Sequence, residues 1–110
     1  WCTACREAMA ELEALHREFG PRGLRVVGVS VDEGDGRRVA RFVARERLTF
    51  VVAHDPTGRA QDAFGVVGVP ETLLLDGEGR VRWKVAGNVH DALADARTAI
   101  RQLLAPPPPS

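Results

Sequence analysis

A chain of 110 residues is long enough for one compact domain with a single core. Its 15 basic and 15 acidic side chains cancel, which removes the electrostatic case for nucleic acid or an anionic membrane surface as partner. Two cysteines are too few for a disulfide-dense secreted scaffold, and no apolar run approaches the roughly 20 residues that cross a bilayer.

The first predicted element is a helix over residues 3–19, where Ala8, Leu12, Leu15 and Phe19 fall on one face. Gly20, Pro21 and Gly23 stop it. Residues 24–31, LRVVGVSV, are apolar on both parities and predict a strand buried on both faces. The loop DEGDG leads into a second amphipathic helix over 36–47, marked by Val39, Phe42, Val43 and Glu46. A strand is expected at 48–53, a turn at HDPTGR and a short helix at 59–64. A buried strand follows at 72–75 and the hairpin turn DGEG after it. In residues 80–86, Val81, Trp83 and Val85 alternate with Arg80, Arg82 and Lys84, the pattern of an antiparallel strand with one wet face. A last helix carries Val89, Leu93, Ala96, Ile100 and Leu103 on one stripe. The order α, β, α, β, α, β, β, α predicts an α/β sandwich with a mixed sheet. It fills residues 1–104 as one domain, and 105–110, ending in PPPPS, form an extended, disordered tail.

Both thiols, Cys2 and Cys5, stand at the start of the first helix in WCTAC. Unpaired backbone N–H groups and the positive helix end gather there, and both favour a thiolate. Helix-terminal C-x-x-C pairs lower the first thiol from about 8.5 to between roughly 3.5 and 7.5. The spacing makes Cys2 the attacking thiol and Cys5, one turn on, the resolving thiol. A zinc site needs a second Cys or His pair at short spacing, and His16, His54 and His90 are far apart, so no metal is expected. An inert staple is the other reading, although so short a loop removes little chain entropy. The second motif is GVPET, residues 68–72. Pro70 directly precedes an expected strand, where a proline removes a ladder donor, and the Val69–Pro70 bond is open to either isomer.

Trp-Cys-x-x-Cys opening a helix, GVSVD closing the next strand and GVPETLLLDGEGRV further on together resemble the TlpA/ResA-like thiol-disulfide oxidoreductases of the thioredoxin superfamily. The likeness runs from Trp1 to about Leu104. It implies a thioredoxin-like three-layer sandwich with a mixed central sheet. In that fold a strand precedes the active-site helix, between the strands expected at 25–31 and 72–75. Here it is lacking, so the chain resembles a fragment cut at the active site, as a start on Trp1 rather than Met also suggests.

Carried over, Cys2 is the exposed nucleophile and Cys5 its buried partner. Pro70 is cis and faces them, the Val69 backbone offers hydrogen bonds to a substrate chain, and Trp1 is an apolar wall. Glu71 and Glu7 are the candidate acid–base groups. Family members often place a glutamate three positions after the second cysteine and a proline two further, where this chain has Ala8 and Ala10, and Glu7 sits one place early.

The implied activity is electron exchange with protein disulfides through a Cys2–Cys5 dithiol, with no other cofactor. The implied partners are protein substrates and an upstream electron donor. The implied setting is a monomer outside the bacterial cytoplasmic membrane, tethered only through a missing N-terminal anchor. In some members the substrate is apocytochrome c before haem attachment. The alternatives are a peroxiredoxin-like peroxidase, for which Thr3 and Arg6 would polarise peroxide, and an inactive thioredoxin-like binding module.

Overall fold

A computed structural model describes residues 3–31, 34, 36–66 and 68–105. The elements run α1 (Thr3–Phe19), a 3-10 turn, β1 (Val27–Ser30), α2 (Arg37–Glu46), β2 (Val51–His54), α3 (Arg59–Ala63), β3 (Glu71–Leu75), β4 (Val81–Ala86), a second 3-10 turn (Val89–Ala92) and α4 (Leu93–Leu104). The predicted order holds throughout. The expected tail lies outside the described residues beyond position 105.

The strands form two pairs. β1 lies parallel to β2, with Val27 opposite Val51 and Ser30 opposite His54. β3 lies antiparallel to β4, with Glu71 opposite Ala86 and a register shift between Leu74 and Leu75. Asp76 builds the hairpin: its Oδ1 accepts from the amides of Glu78 and Arg80 at 2.9 and 3.0 Å, so the turn's own backbone is satisfied. Among the described residues no strand precedes α1.

α1 is the hub of the core. One flank sets Ala8 against Val89 and Ala96, with Trp83 and Val85 of β4 packed on them. Leu15 and Phe19 meet Ile100 of α4. The other flank brings Met9 and Leu12 onto the cluster of Phe42, Leu48 and Phe50. β1 is closely approached at Gly28: a Cβ there would stand 3.1 Å from the Phe50 ring and 3.3 Å from the Met9 methyl, so those side chains would have to shift to admit it.

Two expectations are corrected. β1 is covered on one face only. Gly28 and Ser30 point into the core, while Val27 and Val29 are 57% and 43% exposed. Likewise, the strand expected to be buried at 72–75 is half-buried along its length. Both strands line one cavity, described below.

β2 also begins later than expected, at Val51 rather than residue 48. Leu48 and Phe50 are buried in the core instead, and the Thr49 amide donates to Glu13 Oε1 at 2.6 Å rather than to a ladder.

Glu13 is a buried carboxylate with a full set of partners. Besides the Thr49 amide it accepts from the Thr49 hydroxyl and from Arg17 Nε, both at 2.6 Å. Burial pushes its pKa up, but the Thr49 hydroxyl and amide and the Arg17 guanidinium outweigh it and hold the carboxyl at about 2, below the ordinary 4.5. A group depressed on folding contributes stability above its unfolded value and loses it as pH falls through the folded one. Glu13→Ala is therefore expected to cost about 2 kcal/mol at neutral pH, since it strands the Thr49 donors. It should also flatten the loss of stability between pH 4.5 and 2, measured by urea unfolding across pH.

Candidate functional site

The first turn of α1 holds Cys5 and Arg6 and no acid. Its unpaired N–H groups therefore meet no carboxylate from their own turn that would compete with a thiolate. Arg6 turns away toward α2, where its guanidinium lies 3.5 Å from Glu46. Cys5 is partly buried. Trp1 and Cys2 lie outside the described residues.

Sixty-five positions further on, the chain contributes to the same cavity as Cys5. Phe64 ends α3, and after Gly68 the Val69–Pro70 peptide bond is cis. The Pro70 carbonyl accepts from the Gly87 amide at 2.8 Å, which ties this segment to the end of β4. Glu71 then opens β3. Cys5, Val69, Pro70 and Glu71 all line one cavity of about 600 Å³. Val69 is 56% exposed at its rim. Glu71 is half-buried and is the acidic residue of the lining, among the described residues.

Glu7 is placed differently. It is exposed and does not line the cavity; its Oε2 accepts from Asn88 Nδ2 at 2.6 Å. The next residue, Ala8, is buried against Val89 and Ala96 and also lines the cavity, so at this position α1 presents a methyl group to it. One residue along the helix separates a solvent-facing carboxylate from a packed methyl.

A second link holds the same side of α1. Glu11 Oε1 lies 2.7 Å from His90 Nδ1. The hydrogen bond to Glu11, and then its charge, raise the His90 pKa above the ordinary value. Asn88 joins the two links, since its Oδ1 caps the 3-10 turn by accepting from the His90 amide at 3.0 Å. The sequence reading passes over this cluster. Its signal is Asn88 immediately before a helical stripe, the pattern of an N-cap. Among the described residues no group of three His, Cys, Asp or Glu side chains could hold a metal ion, and no helix is long and apolar enough to cross a membrane.

The sequence model of the AhpC/TSA family matches residues 1–84. The chain is 34% identical over 91 residues to the thiol:disulfide interchange protein DsbE of Yersinia pestis, covering 83% of this chain and 46% of that one. It is 31% identical over 87 residues to the thiol-disulfide oxidoreductase ResA of Oceanobacillus iheyensis, covering 79% and 45%. The chain thus spans about half the length of these relatives. Among solved structures, a Chlorobium tepidum protein assigned as a thiol:disulfide interchange protein DsbE superposes with a TM-score of 0.87 at 28% identity, over 96% of this chain and 74% of that one. The oxidized form of a thioredoxin-like protein superposes with a TM-score of 0.78 at 23% identity, over 94% and 71%, which speaks for the fold alone. The two strand pairs and their helices are therefore a thioredoxin-like α/β sandwich with a mixed sheet.

Proposed function

The chain belongs to the AhpC/TSA family, as a thioredoxin-superfamily chain related to the thiol-disulfide oxidoreductases TlpA, ResA and DsbE, and from that membership we propose that it exchanges electrons with protein disulfides through Cys2 and Cys5. The observation that supports the reading is that Cys5 and the cis Val69–Pro70 segment line one cavity.

The chemistry balances on this chain's own residues. The Cys2 thiolate attacks one sulfur of a substrate disulfide; that S–S bond breaks and one substrate thiolate leaves. The Cys5 thiolate then attacks Cys2 Sγ, releasing the second substrate thiolate and closing a Cys2–Cys5 disulfide. Two electrons have passed to the substrate, and an upstream dithiol must return them. Trp1 and Val69 flank the substrate chain, and the Val69 backbone hydrogen-bonds it. Glu71, within the cavity, is the better-placed candidate for proton transfer to Cys5 than Glu7, which is engaged by Asn88.

Residues 1–104 are proposed as one catalytic domain with a short tail. It would work outside a bacterial cytoplasmic membrane, with protein disulfides such as those of apocytochrome c as substrates. The peroxidase reading loses ground because it needs Arg6 at the sulfur, and Arg6 is paired with Glu46.

The test is the alkylation rate of Cys2 in the reduced chain as a function of pH, with the label located by mass spectrometry. The expected midpoint lies at least one pH unit below the unperturbed value of about 8.5. An ordinary midpoint, with Cys2 and Cys5 equally reactive, would sink the redox reading and leave an inert module.

A further inference from the structure

The seam between α1 and the C-terminal segment has two rows. One is apolar: Ala8, Leu15 and Phe19 of α1 meet Val89, Ala96 and Ile100. The other is a row of three carboxylates from α1. Glu7, Glu11 and Glu18 are spaced by four and seven residues, which sets them on one face of the helix. Each has a partner across the seam. Glu7 accepts from Asn88 Nδ2 at 2.6 Å, Glu11 lies 2.7 Å from His90 Nδ1, and Glu18 accepts from Arg97 at 2.6 Å.

The three partners differ in one respect. An asparagine amide does not titrate, and an arginine keeps its proton. A histidine changes charge between about pH 5 and 8. Of the three links, the middle one therefore responds to pH in that range and its neighbours do not.

The local geometry fixes the form of the response. Asn88 Oδ1 accepts from the His90 amide at 3.0 Å, which leaves Nδ2 for Glu7. Val89, between them, is fully buried against Ala8. The turn is thus pinned on both sides of Val89, and the His90 ring is delivered to Glu11. A protonated ring donates from both nitrogens, so Nδ1 then donates to the carboxylate. The charges that act on the ring most strongly are Glu11, then Asp91 of its own turn and Glu7, all of them acidic. β4 and α4 also pack on the turn, and their charged residues nearest to it in sequence, Lys84 and Asp95, make no hydrogen bond or ion pair with the ring. Loss of the proton leaves three carboxylates around a neutral imidazole.

We propose that His90 and Glu11 form a pH-operated clasp on α1, closed while the imidazole is protonated and loosened when it is not, between two links that stay fastened. The helix so held is the one with Cys5, but the clasp does not depend on thiol chemistry. Its sign follows from linkage. The hydrogen bond from Glu11, and then its charge, raise the His90 pKa in the folded chain above the ordinary 6.5. The stability it contributes is therefore fully present below 6.5 and is lost as pH rises through the folded value. Both side chains reach solvent, so the effect is small and local to α1.

The test uses NMR on the 110-residue chain, reading the His90 ring and the amide exchange of α1 as a function of pH. The ring should titrate above 6.5, and Glu11→Gln, which keeps the shape and an accepting oxygen but no charge, should bring it down. Asp91→Asn should bring it down less, because Asp91 acts by charge alone. Exchange at the amides of Glu11 and Leu12, corrected for the intrinsic rate, should quicken about two- to fivefold as the ring loses its proton, the range of an exposed ion pair. Both Glu11→Gln and His90→Gln should abolish that step, and amides near Glu18 should show none.

Three results overturn the proposal. The ring titrates no higher than 6.5, or its midpoint is the same in Glu11→Gln. Exchange at Glu11 and Leu12 shows no step in the parent chain. The step persists in Glu11→Gln, so that another group, such as His16 on the same helix, drives it.

Discussion

If the proposed function holds, Cys2→Ser is expected to lower disulfide-reductase turnover by at least about a thousandfold, and Cys5→Ser to stop the reaction one step later, as a covalent adduct. The asymmetry follows from the two roles. A serine hydroxyl is not ionised near neutral pH and cannot attack a disulfide sulfur, so the first variant has no chemistry to begin with. The second keeps the attacking thiolate but loses the thiol that would release the substrate, so the mixed disulfide persists. Non-reducing gels should show that adduct for Cys5→Ser only, and a reductant should dissolve it. Equal adducts from both variants would mean that the order of attack is wrong. Full turnover by Cys2→Ser would remove the oxidoreductase reading.

α1 is legible in the sequence because its signal is local and repeated. Ala8, Leu15 and Phe19 recur at helical spacing, and all three are buried. β4 is legible for the same reason: Trp83 and Val85 turn inward while Arg82 and Lys84 face solvent. β1 is not, because the run VGVSV reads the same whether one or two faces are covered. What covers a strand is supplied by other parts of the structure, and here one side is a cavity. The late start of β2 is decided by Glu13, 36 positions earlier, whose carboxylate takes the Thr49 amide. No window of sequence around Thr49 contains that information. The site divides in the same way. The spacing of Cys2 and Cys5 suggests redox chemistry locally, and Pro70 joins it only through resemblance to a family. The Asn88–Glu7 hydrogen bond, 81 positions apart, is visible in neither.

The largest effect on stability is expected at Phe19, and it reaches the site through α1. The ring is fully buried at the C-terminal end of α1, packed with Leu15 and Ile100 and flanked by Leu24 and Leu104. The guanidinium carbons of Arg22 and Arg101 lie 5.2 and 5.8 Å from its centroid, so the ring also anchors two cations. Phe19→Ala removes the transferred apolar surface and leaves a void that a close-packed cluster only partly closes, at a cost of about 3–5 kcal/mol. Against a total of about 5–15 kcal/mol for an ordinary domain, that is a third or more of the margin. The thermal midpoint should fall by roughly 15 °C or more. Val81→Ala is the matched control, since Val81 is nearly half exposed and its loss should stay within about 0.5 kcal/mol. Ile100→Ala in the Phe19→Ala background should cost less than it does alone, because the two side chains share one cluster and the second deletion enlarges a cavity already present. Strict additivity of the pair in urea unfolding would mean that they do not share a packed unit. It would also remove the reason to regard α4 as the support that holds the Cys5 helix in place.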